Sequence, residues 1–131
     1  MYKKLNKLLN NSYAPLSKFK VSSIVVDDKG NEYSGVNVEY IIPTISTCAE
    51  RNAIATSITE GNEFGKITEI HILSNNKQKF TFPCGLCRQA IFESSDGKAK
   101  VFLYNQKKEI KKFSILELLP NAFSKKDLNN V

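Results

Sequence analysis

Thr47-Cys48-Ala49-Glu50-Arg51-Asn52-Ala53 and Pro83-Cys84-Gly85-Leu86-Cys87-Arg88-Gln89 are the two runs whose reading decides the fold. The second sets two thiols three residues apart, with Gly85 permitting a tight turn between them. The first supplies a third thiol and, two residues later, a carboxylate. Three soft thiolates with an open fourth position suit a Zn²⁺ ion that keeps a bound water. A carboxylate outside the coordination shell is then free to move protons. The chain has only these 3 cysteines. Disulfides would leave one thiol over, so metal ligation explains the odd count better.

Working outward, Thr47 or Ser46 is expected to cap a helix from Cys48 to about Gly61, and a second helix is expected from about Gly85 to Ser94. Both ligand sets then sit at helix N-termini. Three thiolates and Zn²⁺ sum to a formal charge of −1, which N-terminal amides and dipoles offset while lowering thiol pKa values. Arg51, three residues beyond Cys48, is placed to donate hydrogen bonds to thiolate sulfur. Its bland alternative is a surface cation. Glu50 lies in the first helical turn, near the metal without being forced into its shell, although the helix dipole alone favours a Glu there. The lone imidazole, His71, reads as an ordinary residue of the strand Ile67 to Ser74 rather than as a fourth ligand.

The remaining chain supplies the frame. Tyr2 to Asn11 has helical apolar spacing, and Phe19 to Val26 is rich in β-branched residues. Asp27-Asp28-Lys29-Gly30-Asn31 reads as a hairpin turn returning into a strand over Glu32 to Val38. Glu39 to Thr47 is a connection containing Pro43, and Asn75 to Phe82 is a polar loop. Lys100 to Tyr104 and Glu109 to Phe113 read as strands, and a helix starting at Ser114 stops before Pro120. A hairpin followed by alternating helices and strands implies an α/β fold with a mixed sheet covered by helices.

Zinc nucleobase deaminases carry this chemical set: a Cys-x-x-Cys pair, a His or Cys as third ligand, and a general acid/base Glu. CAERNAI (48–54) with PCGLCRQ (83–89) resembles the cytidine deaminase family, in its small type whose zinc is held by three cysteines. SYAPLSKFKV (12–21), GVNVE (35–39) and LLPNAFSKKDL (118–128) add to the resemblance, which runs from Ser12 to Leu128. It implies a three-layer αβα fold with a mixed five-stranded sheet, and zinc ligation by Cys48, Cys84 and Cys87. It implies that Glu50 shuttles protons and that Arg51 compensates thiolate charge. It implies that Asn37 and Glu39 hold ribose hydroxyls, that Phe19 packs near the nucleoside, and that the Ala49 backbone reads the base edge. It implies that Phe123 reaches into a neighbouring subunit of a homotetramer with shared sites. On pattern alone, Phe19 is core, Asn37 and Glu39 are a polar strand end, and Phe123 is local packing. The chain departs from the family pattern at Ser22, at Tyr40 and at Ile41-Ile42-Pro43.

Composition fits this reading. A chain of 131 residues suits one domain over residues 1–131, burying roughly two-thirds of its unfolded surface. MYKKLNKLLNN (1–11) lacks the apolar centre of a secretory signal, and no apolar run approaches the ~20 residues that span a bilayer. A reducing cytoplasm is the expected setting, with no membrane partner. The net charge is +6, and 17 of the 19 basic residues are lysine. They are scattered without a basic-aromatic stripe, so a solvated surface is expected and no nucleic-acid partner. The expected activity is zinc-dependent deamination of cytidine and deoxycytidine in pyrimidine salvage. The alternatives are a deaminase of another aminopyrimidine nucleoside, such as blasticidin S, and a non-enzymatic basic zinc module that binds nucleic acid.

Overall fold

The computed structural model describes all of residues 1–131. In chain order the elements are α1 (Tyr2–Leu8), β1 (Val21–Asp27), β2 (Glu32–Val36), α2 (Ala49–Thr59), β3 (Ile67–Ser74), α3 (Gly85–Ser94), β4 (Lys100–Tyr104), β5 (Ile110–Ser114) and α4 (Ile115–Leu118). The five strands form one sheet in the order β2-β1-β3-β4-β5. β3 and β4 run parallel, and the other neighbours are antiparallel.

Side chains alternate across a strand, and here both faces are apolar. Val21 and Val25 of β1, Ile70 and Ile72 of β3, and Val101 and Leu103 of β4 join α2 and α3 in the larger core. Ile24, Leu73 and Tyr104 point the other way and pack on Leu5 and Leu9. Helices therefore cover both faces, giving the three-layer αβα arrangement and mixed five-stranded sheet that the sequence implied. The β1–β2 turn is built on Asp27. Its carboxylate accepts the Lys29 and Asn31 amides, each at 2.9 Å, and the Tyr33 hydroxyl at 2.9 Å. Burial pushes the Asp27 carboxyl up, but these bonds outweigh it and hold the group below its ordinary 3.8. Gly30 supplies the left-handed residue of the turn, at φ 84°.

Some boundaries differ from expectation. β1 begins at Val21 because the Phe19 carbonyl accepts from Asn37 Nδ2, at 2.7 Å, and the Lys20 amide donates to Asn75 Oδ1, at 3.1 Å. β2 stops at Val36, and Val38 then bridges Tyr13 on one side and Thr47 on the other. That pairing takes Thr47 out of the capping position, which Cys48 occupies instead. α4 opens with a reciprocal cap between Ser114 and Glu117. Short 3₁₀ turns at Pro43–Ile45 and Lys125–Leu128 lie where no element was expected. No helix is long and apolar enough to cross a membrane.

Gly35 fixes how closely the sheet and α2 approach. A Cβ there would fall on the Ala53 amide nitrogen and the Ala49 carbonyl oxygen, with the Asn52 carbonyl carbon at 2.8 Å. Only glycine lets β2 lie against the first turns of α2 this closely. Asn52 adds a second tie, donating to the Val36 carbonyl at 2.7 Å and to Thr47 Oγ1 at 3.0 Å. The start of α2, and with it Cys48 and Glu50, is thereby registered against the end of β2.

Candidate metal centre and adjoining cavity

Cys48 is the N-cap of α2, and Cys84 is the N-cap of α3. Cys87 lies in the first turn of α3 and is fully buried. The ligand atoms of the three lie within 4.8 Å of one another, and the group contains no fourth His, Cys, Asp or Glu. Tetrahedral zinc with Zn–S bonds of about 2.3 Å places its sulfurs about 3.8 Å apart, a small contraction from this arrangement. His71 supplies no fourth ligand. It sits on the opposite sheet face, its Nδ1 paired with the Tyr104 hydroxyl at 2.8 Å and its Nε2 with Glu69 at 2.9 Å. Its ring stacks on Phe102 with centroids 4.6 Å apart. The residues present thus fit a zinc ion held by three thiolates with one corner left to solvent or substrate.

The charges around the thiols agree with this fit. Cys48 is drawn down to about 5, first by the Cys87 thiol donating to its sulfur, and also by Arg51. The same shared proton, together with burial, pushes Cys87 up. Arg51 Nη2 lies 3.6 Å from Cys48 Sγ, and Arg51 Nε is buried with no protein partner. Arg51 thus lies against the thiol group, within reach of Cys48 Sγ, rather than free on the surface.

Glu50 is 5% exposed. Burial raises its carboxyl from 4.5 to about 7, opposed in part by its own backbone amide and by the Cys87 thiol. A carboxyl that ionises near neutrality both accepts and donates protons at physiological pH. Glu50 therefore stands beside the thiolate trio without belonging to it.

A cavity of about 540 Å³ opens over this group, lined among others by Phe19, Asn37, Glu39, Cys48, Ala49 and Glu50. Its size is that of small-molecule pockets, which run to roughly 300–1,000 Å³. The structure brings these sequence-predicted residues together from the loop before β1, the end of β2 and the start of α2. Glu39 accepts from the Ser17 amide at 3.2 Å and from Ser17 Oγ at 3.0 Å. Asn37 is more committed than a free polar strand end. Its Oδ1 accepts from the Val21 amide at 2.9 Å and from Ser12 Oγ, and its Nδ2 donates to the Phe19 carbonyl. Phe19 is 40% exposed, a cavity wall rather than core. Phe123 does not line this cavity. It is 60% exposed, and its carbonyl accepts from Gln89 Nε2 at 2.9 Å.

Sequence reasoning missed Thr81, Phe82, Leu86 and Thr44 as cavity residues. Adjacency to Pro83 and Cys84 was the available signal for the first two. Of the departures from the family pattern, Ser22 is fully buried and donates to the Leu5 carbonyl at 2.7 Å, on the α1 side of the sheet. Tyr40 turns to the outer surface, beside Tyr13 and Ile41. Pro43 alone reaches the cavity.

Comparison with known proteins agrees with the geometry. The family described as "Cytidine and deoxycytidylate deaminase zinc-binding region" matches residues 1–103. A cytidine deaminase of Mycoplasma genitalium is 38% identical over 123 residues, covering 94% of this chain and 92% of the relative. One of Mycoplasma pneumoniae is 37% identical, with coverages of 94% and 91%. Among solved structures, the cytidine deaminase of Burkholderia pseudomallei superposes with a TM-score of 0.87 at 30% identity, over 92% of this chain and 94% of that one. The thiolate trio, the neighbouring acid and the three-layer frame are thus accompanied by sequence identity along nearly the whole length, and the chain belongs to the cytidine deaminase family.

Proposed function

We propose that this chain is a zinc-dependent hydrolase, a single deaminase domain that converts cytidine and deoxycytidine to uridine and deoxyuridine with release of ammonia. The observation that carries the reading is the buried Glu50 carboxyl, poised near neutrality beside three thiols that leave one corner open on a nucleoside-sized cavity. Cys48, Cys84 and Cys87 would hold the zinc, which when bound would supply the Lewis acidity that makes the attacking water acidic near neutral pH. Glu50 accepts a proton from the attacking water and delivers it to the ring nitrogen beside the amino-bearing carbon. That carbon gains the oxygen and becomes tetrahedral. Glu50 then takes the proton of the new hydroxyl and hands it to the amine; the carbonyl forms as the C–N bond breaks, and ammonia leaves. Asn37 and Glu39 hold the sugar, Phe19 walls the base, and the Ala49 backbone meets the base edge.

The active unit is a homotetramer in the cytoplasm serving pyrimidine salvage, with Phe123 entering a neighbour's cavity. Supporting this, Ile41 is 91% exposed and Ile42 59% exposed. They directly precede Pro43 of the cavity wall and form an exposed apolar stretch of the kind subunit contacts cover. The three unpaired thiols suit a reducing compartment.

The test is ammonia release from cytidine, deoxycytidine and blasticidin S by protein of measured zinc content, with oligonucleotide binding followed at low salt. Turnover of cytidine and deoxycytidine at one zinc per chain is the expected result. Turnover of blasticidin S alone, or salt-sensitive oligonucleotide binding without ammonia release, would replace this reading.

A further inference from the structure

The three thiols are not held equally. Cys48 has the Arg51 guanidinium beside it, and Cys87 is locked in the core. Cys84 has neither. It is exposed, makes no side-chain cap bond, and is followed by Gly85, whose Cβ direction faces open space, and by Leu86, 69% exposed. The peptide on its N-terminal side holds it instead. Pro83 is fully buried, and its carbonyl accepts from Arg88 Nε at 2.8 Å. Through Nη1 the same guanidinium donates to the Leu118 carbonyl, at the end of α4, also at 2.8 Å. The peptide is planar, so pinning the Pro83 carbonyl sets the plane that carries the Cys84 nitrogen and Cα. With Cys84 also held as the N-cap of α3, at φ −68°, the direction of its Cα–Cβ bond follows.

We propose that Arg88 is a positioning residue for the metal centre. Anchored on α4, its guanidinium holds the Pro83–Cys84 peptide so that the most exposed thiolate is in place before the ion arrives. The rigid fork of arginine serves two separate carbonyls at once, which the single ammonium of lysine does not. Groups that orient metal ligands without touching the ion typically contribute about 10–100-fold in metal affinity. The proposal rests on the reading that all three thiolates bind zinc.

The experiment is chelator competition for zinc on the full chain, as wild type, Arg88→Met, Arg88→Lys and Gln89→Leu, with melting temperatures of the metal-free forms. Arg88→Met is expected to weaken zinc binding about 10–100-fold and to speed zinc release, with Arg88→Lys in between. Gln89→Leu cuts the adjacent tie to the Phe123 carbonyl but leaves Pro83 held, so its zinc affinity stays at the wild-type value. Wild-type zinc affinity in both Arg88 variants, with lowered metal-free melting temperatures, overturns the proposal by making Arg88 a purely structural brace. So does an equal loss in Gln89→Leu. Should Arg88→Met fail to fold, Arg88→Lys decides on the same criterion. A wild-type protein that binds no zinc defeats the three-thiolate reading itself, which is a separate result.

Discussion

At the scale of the residue, the environment that suits Glu50 to the proposed proton transfer works against stability. Its carboxyl is 5% exposed and raised from 4.5 to about 7, chiefly by burial. Below about pH 4.5 the group is protonated whether the chain is folded or not, so burying it costs nothing through ionisation. As pH rises towards 7 the unfolded chain ionises first and is favoured, and above 7 the full cost is present. Glu50→Gln cannot ionise. In the metal-free protein it is therefore expected to add about 3 kcal/mol of stability at pH 8, and far less at pH 5. Thermal melts of both metal-free proteins at the two pH values check this. An equal shift at both would mean that the carboxyl is not perturbed by its burial. The thiols were legible directly in the sequence, because three cysteines in two short runs constrain ligand choice by count and spacing alone. Glu50 and Arg51 were legible for the same reason, lying on the turn of helix that Cys48 caps.

At the scale of the element, the strands and helices were legible where pattern is local. The β-branched run 19–26, the Asp27–Asn31 turn and the helices after the two thiol runs all formed close to where their residues placed them, the first strand starting two residues later, at Val21. What stayed hidden depends on partners distant in sequence. Asn37 organises three segments through one amide. Arg88 reaches a carbonyl 30 residues away. Gly35 read only as a residue of the strand Glu32 to Val38, yet its geometry makes it the contact between β2 and α2, since a Cβ would meet helix backbone that has no room to yield. Gly35→Ala is expected to force α2 away and cost about 3 kcal/mol. In a domain of this size that lowers the melting temperature by roughly 10 °C or more, and activity falls because Cys48 and Glu50 move with the helix. Calorimetry of the zinc-loaded variant checks it, and a wild-type melting temperature would show that the approach of strand and helix is not tight.

At the scale of the whole molecule, the sheet brings the start of β1 and the end of β2 to the starts of α2 and α3, and the cavity lies where they meet. Just before Pro43 of the cavity wall the chain exposes Ile41 and Ile42, which the proposed tetramer would cover. Replacing both with Ser is expected to leave the monomer folded and to shift light-scattering mass towards smaller species, with lower turnover. A wild-type protein that is monomeric and fully active would remove the shared site. In the proposed chemistry three thiolates hold zinc, and one buried acid moves the protons. That chemistry is tested most directly by the deamination rate of zinc-loaded Glu50→Gln on cytidine. With one zinc retained per chain, the account predicts a loss of about 10²–10⁴-fold or more, the usual contribution of a positioned acid/base. Wild-type turnover in that variant would contradict it.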